Sequence, residues 1–303
     1  MDKKNEVTNS NLSFLMLTQI NSPLLSVSIN SLGAEIFSVK NKNGLEFIWQ
    51  AKKEIWPRHA PVLFPIVGKL KEDEFLFEGK SYKLGQHGFA RDLDFDLIES
   101  NTSSCTFQLV SDTKSKEKFP FDFIFQIKYE LRENKLSISY KISNPSKEPI
   151  FFSVGAHPGF KCPLLETENF EDYFLEFESS DFIITELNNG LRKKSKSDLV
   201  FKNDKLFLSK ELFDKDALVF ENNQISKISL CSVKSKHKIS MECTDWPYFG
   251  IWSKKGCAEF VCLEPWYGIA DEENTTKDFI QKIGIIVLEA QKEFNCSFSI
   301  SFD

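Results

Sequence analysis

Three short stretches hold the residue types that acid–base chemistry needs. In Cys262-Leu263-Glu264-Pro265-Trp266-Tyr267-Gly268, one carboxylate stands between an apolar run, Ala258 to Leu263, and a Pro-Trp-Tyr-Gly turn. A strand that ends this way presents its last polar side chain at a rim, where loops build binding sites. Two neighbouring aromatic residues would desolvate the carboxyl group and raise its pKa towards that of a base working near neutrality. Alone, the same Glu reads more readily as a solvated strand end with no role. The other stretches are Gln86-His87-Gly88-Phe89-Ala90-Arg91-Asp92 and Val154-Gly155-Ala156-His157-Pro158-Gly159-Phe160. Of four histidines, only His87 and His157 have glycines beside them, which let the backbone bend tightly and a ligand come close. Pro158 restrains the backbone after His157, and so the direction of the imidazole. His59, in Pro57-Arg58-His59-Ala60-Pro61, has no glycine setting, and His237, among Lys234, Lys236 and Lys238, reads as part of a surface strand.

A His and a Glu facing one pocket form a general acid and a general base. Imidazole gives or takes a proton near neutral pH, and a carboxylate of raised pKa accepts one from a hydroxyl. The sequence holds no G-x-S-x-G elbow, no H-E-x-x-H, no P-loop and no dinucleotide fingerprint. What remains is acid–base chemistry with no metal, no cofactor and no covalent intermediate.

The elements that must position these residues are strands. Leu24 to Ile29 and Ala34 to Val39 flank a Gly-bearing connection, Leu45 to Trp49 is a short run of strand type, and Glu74 to Phe77 faces Ser81 to Leu84 across Gly79. Phe121, Phe123, Phe125, Ile127, Tyr129 and Leu131 occupy alternate positions, as do Leu136, Ile138, Tyr140 and Ile142, and later Phe298, Ile300 and Phe302. Period two of this kind marks half-buried antiparallel strands. Helical periodicity is scarce, with Ser209 to Phe213 and Thr276 to Lys282 as the candidates for a turn or two. Lys114 to Lys118 and Arg192 to Lys196 read as solvated loop tips. The fold class is therefore all-β, with large packed antiparallel sheets. Residues 1–11 are expected to be a polar N-terminal arm and 12–303 a single domain.

Composition narrows the partners. The 303 residues include 30 Phe and are 41% hydrophobic, ample for a large core, and the net charge is −6. That balance disfavours nucleic acid and anionic membranes as partners. No stretch approaches the apolar length of a membrane span, and the first twelve residues lack the apolar run of a secretory signal. Seven scattered cysteines with no C-x-x-C pair fit the thiols of a reduced cytoplasm. No oligomer is specified.

A resemblance runs through these same residues. Ala60 to Leu70, Gly79 to Leu84, Gln86 to Asp92, Gly155 to Phe160 and Cys262 to Trp266 together resemble the aldose 1-epimerase (mutarotase) family, in order and over nearly the whole chain. Within it, the chain is most similar to the branch of lactose-operon epimerase-like proteins. The resemblance implies a galactose mutarotase-like β-supersandwich and a small-molecule sugar, an aldohexose, as substrate. It makes Glu264 the base that takes the anomeric hydroxyl proton and His157 the acid that protonates the ring oxygen. His87 would be the second histidine, bonded to the sugar near both.

Lys69 falls where galactose mutarotases place a sugar-binding arginine. A lysine offers a point charge there instead of a planar fork, and Arg58 or Arg91 could take over the contact. Asp216 matches the sugar-binding aspartate, though it also reads as a strand-start residue capping its own turn. Trp266 and Trp252 would offer an apolar face to the ring, with Phe249 a core residue and Asp245 and Asp271 surface acids. Two further readings stay open: a hexose 6-phosphate as substrate, held by Lys69, Arg58, Lys71 and Arg91, and a non-catalytic sugar-binding or sensor protein. The matched His and Glu argue against the second.

Overall fold

The computed structural model describes residues 17–178, 182–199, 201–202 and 205–303; the arm expected over residues 1–11 lies outside them. Two large sheets dominate, one of nine strands and one of eight, with a three-stranded sheet and two hairpin-sized ones beside them. The pairings within both large sheets are antiparallel. The nine-stranded sheet is built on the alternating segments. Ile124–Arg132 and Lys135–Ser143 each bury every second side chain. Their register sets Phe125, Ile127, Tyr129 and Leu131 opposite Ile142, Tyr140, Ile138 and Leu136. Glu293–Phe302 continues the same face on the other side, with Phe298 opposite Ile138 and Ile300 opposite Leu136. Cross-strand apolar pairs of this kind lock register, because a one-residue slip would turn the whole face to water.

The eight-stranded sheet differs. Its central strand, Phe260–Tyr267, is buried on both faces, flanked by Tyr248–Trp252 on one side and by Val154–Ala156 and Gly159–Lys161 on the other. Successive side chains of a strand point to opposite faces. Val261 and Leu263 accordingly join the main core, while Phe260 and Cys262 join a small aromatic cluster with Trp49, and Trp266 joins another with Leu63, Val67, Val219 and Ile269. Glu264 lies on that second face, between the two small clusters.

Two glycines make this possible. Gly155 pairs with Trp266 and Gly250 with Glu264 on the neighbouring strands. A Cβ at Gly250 would lie 2.3 Å from the Trp266 ring, and one at Gly155 would lie 2.8 Å from it. Gly250→Ala is expected to push the indole out of its seat at a cost of about 1–3 kcal/mol, the usual range for overpacking. Urea denaturation measures it, and an unchanged midpoint would mean that Trp266 has room to spare.

Several local expectations change. Lys114 to Lys118 is not a loop tip but most of a short α-helix, Thr113–Lys118, because Asp112 and Ser115 form a reciprocal capping box at its start. Arg192 is buried, not solvated. It lies in the strand Leu191–Asp198 and pairs with Glu221 at 2.9 Å and Glu272 at 3.0 Å. Ser209 to Phe213 and Thr276 to Lys282 are turns without helix, and Leu45 to Trp49 makes only single bridges, at Glu46 and Ile48. Asp271, expected at the surface, is buried against Lys282. All seven cysteines are free. Among the described residues no helix is long and apolar enough to cross a membrane.

Candidate active site

The face of the eight-stranded sheet that carries Glu264 opens into a cavity of about 440 Å³. Glu264, His157, His87, Lys69, Asp216, Arg91 and Trp266 all line it, although they come from segments up to two hundred residues apart. Arg58 does not line it. Its guanidinium pairs with Asp92 at 2.8 Å, one residue behind Arg91.

Each side chain is held by its own local structure. The strand sets Glu264 in place, and Trp56 and Trp252 pack around His157 with ring centroids 5.0 and 5.6 Å away. The backbone N–H of His157 donates to Pro61 O at 3.1 Å. His87 and Gly88 both have left-handed backbone, φ 66° and 72°. A Cβ at Gly88 would lie 2.3 Å from Phe64 O, so the tight turn needs glycine there. This turn is locked to a second one: His87 N donates to Gly68 O at 2.9 Å, and Gly68 N donates back to His87 Nδ1 at 3.1 Å. A ring nitrogen that accepts from the backbone is unprotonated, which leaves Nε2 of neutral His87 as the N–H facing the cavity. The His87 and His157 rings meet edge to face at 5.5 Å.

His157 Nε2 and Glu264 Oε2 lie 3.2 Å apart. Burial pushes the Glu264 carboxyl well above the usual carboxylate range, partly offset by the Trp266 indole and reinforced by the charge of Asp216. Burial likewise pulls His157 down to about 3, with Arg91 and Arg58 adding to the shift. His87 is lowered too, by burial first and then by His157, Arg91 and Arg58. Burial thus disfavours the charged form of both groups, the Glu264 carboxylate and the His157 imidazolium. Four of the six buried side-chain polar atoms without a hydrogen-bond partner among the described residues belong to this cavity: Arg91 Nε, His157 Nδ1, Glu264 Oε2 and Trp266 Nε1. Buried polar groups are rarely left unpaired, and at a site they mark where a polar ligand is met. Cys262 brings its thiol within 4.8 Å of the same pair, but burial holds that thiol protonated, and Trp49, Phe260 and the tryptophans enclose it.

The sequence of residues 16–293 matches the family model described as aldose 1-epimerase. The chain belongs to the aldose 1-epimerase family. Among its relatives, the chromosomally encoded protein LacX of Lactococcus lactis subsp. lactis is 31% identical over 291 residues, covering 92% of this chain and 97% of LacX. A galactose mutarotase related enzyme from Lactobacillus acidophilus superposes with a TM-score of 0.91 at 39% identity, over 95% of this chain and 97% of that one. A galactose mutarotase-like protein from Lactobacillus casei gives 0.89 at 30% identity, over 95% and 100%. The fold of this chain is thus galactose mutarotase-like. Membership supports isomerase chemistry on a carbohydrate.

The structure also adds residues that sequence reasoning passed over. Trp56, Gln86, Leu187, Asn189, Ile269 and Ala270 line the same cavity. Gln86 lay inside a quoted motif, and its side-chain amide is 3.3 Å from His87 Nε2. Trp56 precedes the Pro57-Arg58-His59 segment. Asn189 sits in an ordinary hairpin turn and carried no signal. Phe249 is core, and Asp245 is an exposed turn residue whose carbonyl accepts from Tyr267 Oη at 2.9 Å. His59 stays outside the cavity, packed at a tilt against Phe37 with ring centroids 4.4 Å apart, and burial lowers its pKa to about 4.

Proposed function

We propose that this chain is a cytoplasmic, cofactor-independent aldose 1-epimerase that interconverts the α and β anomers of an aldohexose. The observation that carries the proposal is the 3.2 Å separation of His157 Nε2 and Glu264 Oε2. Two groups so close can serve two oxygens bonded to one carbon, and the hydroxyl oxygen and ring oxygen at C1 of a pyranose are such a pair. A glycoside hydrolase would instead set two carboxyl groups about 5 Å or more apart.

The steps follow with balanced protons. Glu264 as carboxylate takes the proton of the anomeric hydroxyl, the C1–O1 bond becomes a carbonyl, and the bond from C1 to the ring oxygen breaks. Protonated His157 gives its proton to the departing ring oxygen, while His87 Nε2–H steadies the sugar oxygens. Rotation about C1–C2 and closure on the other face returns both protons. The neutral pair, carboxylic acid and imidazole, matches the open-chain stage, and the ionised pair matches the closed sugar. One proton moving between atoms 3.2 Å apart connects them. Free thiols throughout fit a reduced cytoplasm.

The test is NMR exchange between anomers across aldohexoses and their 6-phosphates, corrected for spontaneous mutarotation. Catalysed exchange of a free aldohexose is expected. Binding without exchange would leave the sugar-binding reading as the better one. Lys69 and Arg91 on the cavity lining favour a second reading, the 6-phosphate, which a preference falling steeply with salt would support.

The pair also fixes the pH profile. Activity needs one proton on the pair, so the acid limb falls where a second proton reaches His157, towards about 3 and well under the ordinary imidazole value. The alkaline limb falls where Glu264 gives up the last proton, above the ordinary carboxylate range. The two limbs belong to the coupled pair, and kcat/KM against pH measures them. An acid limb at about 6.5, the unperturbed imidazole value, would overturn this assignment.

A further inference from the structure

His157 is braced by residues 56–61, of which only Trp56 lines the cavity. The N–H of His157 donates to Pro61 O at 3.1 Å, and that of Gly159 donates to His59 O at 2.8 Å. Trp56 packs its ring against the imidazole, and its carbonyl accepts from Trp49 Nε1 at 2.9 Å. A Cβ at Gly159 would lie 2.8 Å from the Trp56 ring and 3.2 Å from His59 O. Two segments in contact this close leave no slack between them, so a shift of residues 56–61 carries the imidazole with it.

What holds the brace is a carboxyl group that the acid–base chemistry does not use. Glu35 Oε1 accepts from the N–H groups of both His59 and Ala60, at 2.9 and 2.8 Å. Pro57 and Pro61 bring no N–H of their own, which leaves the segment few other backbone donors to tie it down. Oε2 lies 4.0 Å from His59 Nδ1, and the charges of Arg58 and Arg91 face the same carboxyl group. Glu35 is itself firmly placed. Its side chain is only 15% exposed, and it opens the strand Glu35–Asn41. Ala34 before it has left-handed backbone, φ 45°, and its carbonyl accepts from the buried Tyr129 hydroxyl at 2.6 Å. A non-glycine residue keeps such a conformation only where its surroundings impose it. Gly33 N donates to Leu93 O at 2.8 Å, and a Cβ there would lie 2.9 Å from Arg91 O. The acceptor is thus anchored to the nine-stranded sheet on one side and to the turn that carries Arg91 on the other.

We propose that Glu35 is a positioning residue for the acid: its two hydrogen bonds clamp residues 56–61, and that segment sets where His157 stands beside Glu264. The proposal rests on the epimerase reading. Three variants separate position from charge. Glu35→Gln keeps an acceptor at Oε1 and removes the charge, Glu35→Asp keeps the charge and draws the acceptor back by one methylene, and Glu35→Ala removes both. Anomer exchange is measured at a temperature where the melting curve of each variant shows it folded. The kcat of Glu35→Gln is expected to stay near wild type and that of Glu35→Asp to fall. Glu35→Ala is expected to lose about 10–100-fold in kcat with KM little changed, because a reacting group displaced by about 1 Å costs up to about 100-fold. Wild-type kcat in folded Glu35→Ala would make Glu35 a stabilising residue alone, and a Glu35→Gln as slow as Glu35→Ala would make charge the source. Either result overturns the clamp. Should Glu35→Ala not fold, the comparison of Gln with Asp decides: Asp at the wild-type rate overturns it. If the wild-type chain exchanges no sugar, the epimerase reading fails, and the imidazole NMR signals of His157, assigned with His157→Asn, test the clamp alone. They are expected to move in Glu35→Asp and Glu35→Ala and to stay in Glu35→Gln, and signals unmoved in all three overturn it.

Discussion

Replacing Glu264 by glutamine is expected to slow catalysed anomer exchange by about 10²–10⁴-fold, the usual contribution of one proton-transfer partner, with sugar affinity largely kept. Gln fills the same space between the two small apolar clusters but cannot accept the anomeric proton. His157→Asn should cost about as much by removing the acid. The double variant should be little worse than either single one, because two groups that share one proton act as a unit. Polarimetry or NMR measures all three. Stability separates this loss from misfolding. The raised pKa of Glu264 means that the folded chain binds this proton more tightly than the unfolded chain, so stability falls as pH rises from the unfolded value through the folded one. Glu264→Gln removes that penalty. It is expected to be as stable as wild type below about pH 4.5 and more stable at neutral pH. Near wild-type exchange, or a variant less stable at neutral pH, would remove Glu264 from the proposed role.

The sheet framework was legible because alternation is a local signal. Ile124 to Arg132 and Lys135 to Ser143 state which face is buried in their own residues, and the structure pairs those faces directly. The candidate site was legible for a different reason. Glu264 interrupts an apolar strand, and His87 and His157 stand beside glycines, so each is anomalous where it occurs. The buried ion network was not legible. Arg192 looked like the start of a basic run, and Asp271 like a surface acid, because burial of a charge depends on partners distant in sequence. Glu221, Glu272 and Lys282 supply those partners. Asn189 was missed for the same reason: its place on the lining comes from the hairpin's position over the sheet, not from its own neighbours.

Asp271→Ala is expected to destabilise the fold by about 3–5 kcal/mol, the cost of removing one partner of a buried pair. Asp271 Oδ1 lies 3.3 Å from the Lys282 ammonium, both side chains are almost fully buried, and Oδ2 accepts from Lys71 N at 3.0 Å. The main chain of Asp271 is equally committed, with its N–H donating to Lys69 O and its carbonyl accepting from Arg192 N. Arg192 Nε and Lys282 Nζ donate to Ala270 O and Ile269 O, so this network holds both the cavity floor and the irregular segment that carries Lys69. Without Asp271, the Lys282 ammonium keeps its burial and loses its counter-ion. Burial already lowers the pKa of Lys282, with Asp271 opposing the shift, and the variant lowers it further. The folded chain then binds that proton less tightly than the unfolded one, so stability rises with pH between the folded value and the unfolded value of about 10.4. The deficit of Asp271→Ala should therefore narrow as pH is raised from about 7 towards 10, and Lys282→Met in the same chain should recover much of it. Urea denaturation of the wild type, Asp271→Ala and the double variant at both pH values measures this. A deficit under about 1 kcal/mol, the worth of an exposed pair, would mean that water reaches Lys282 and that the floor of the cavity is held by the backbone alone.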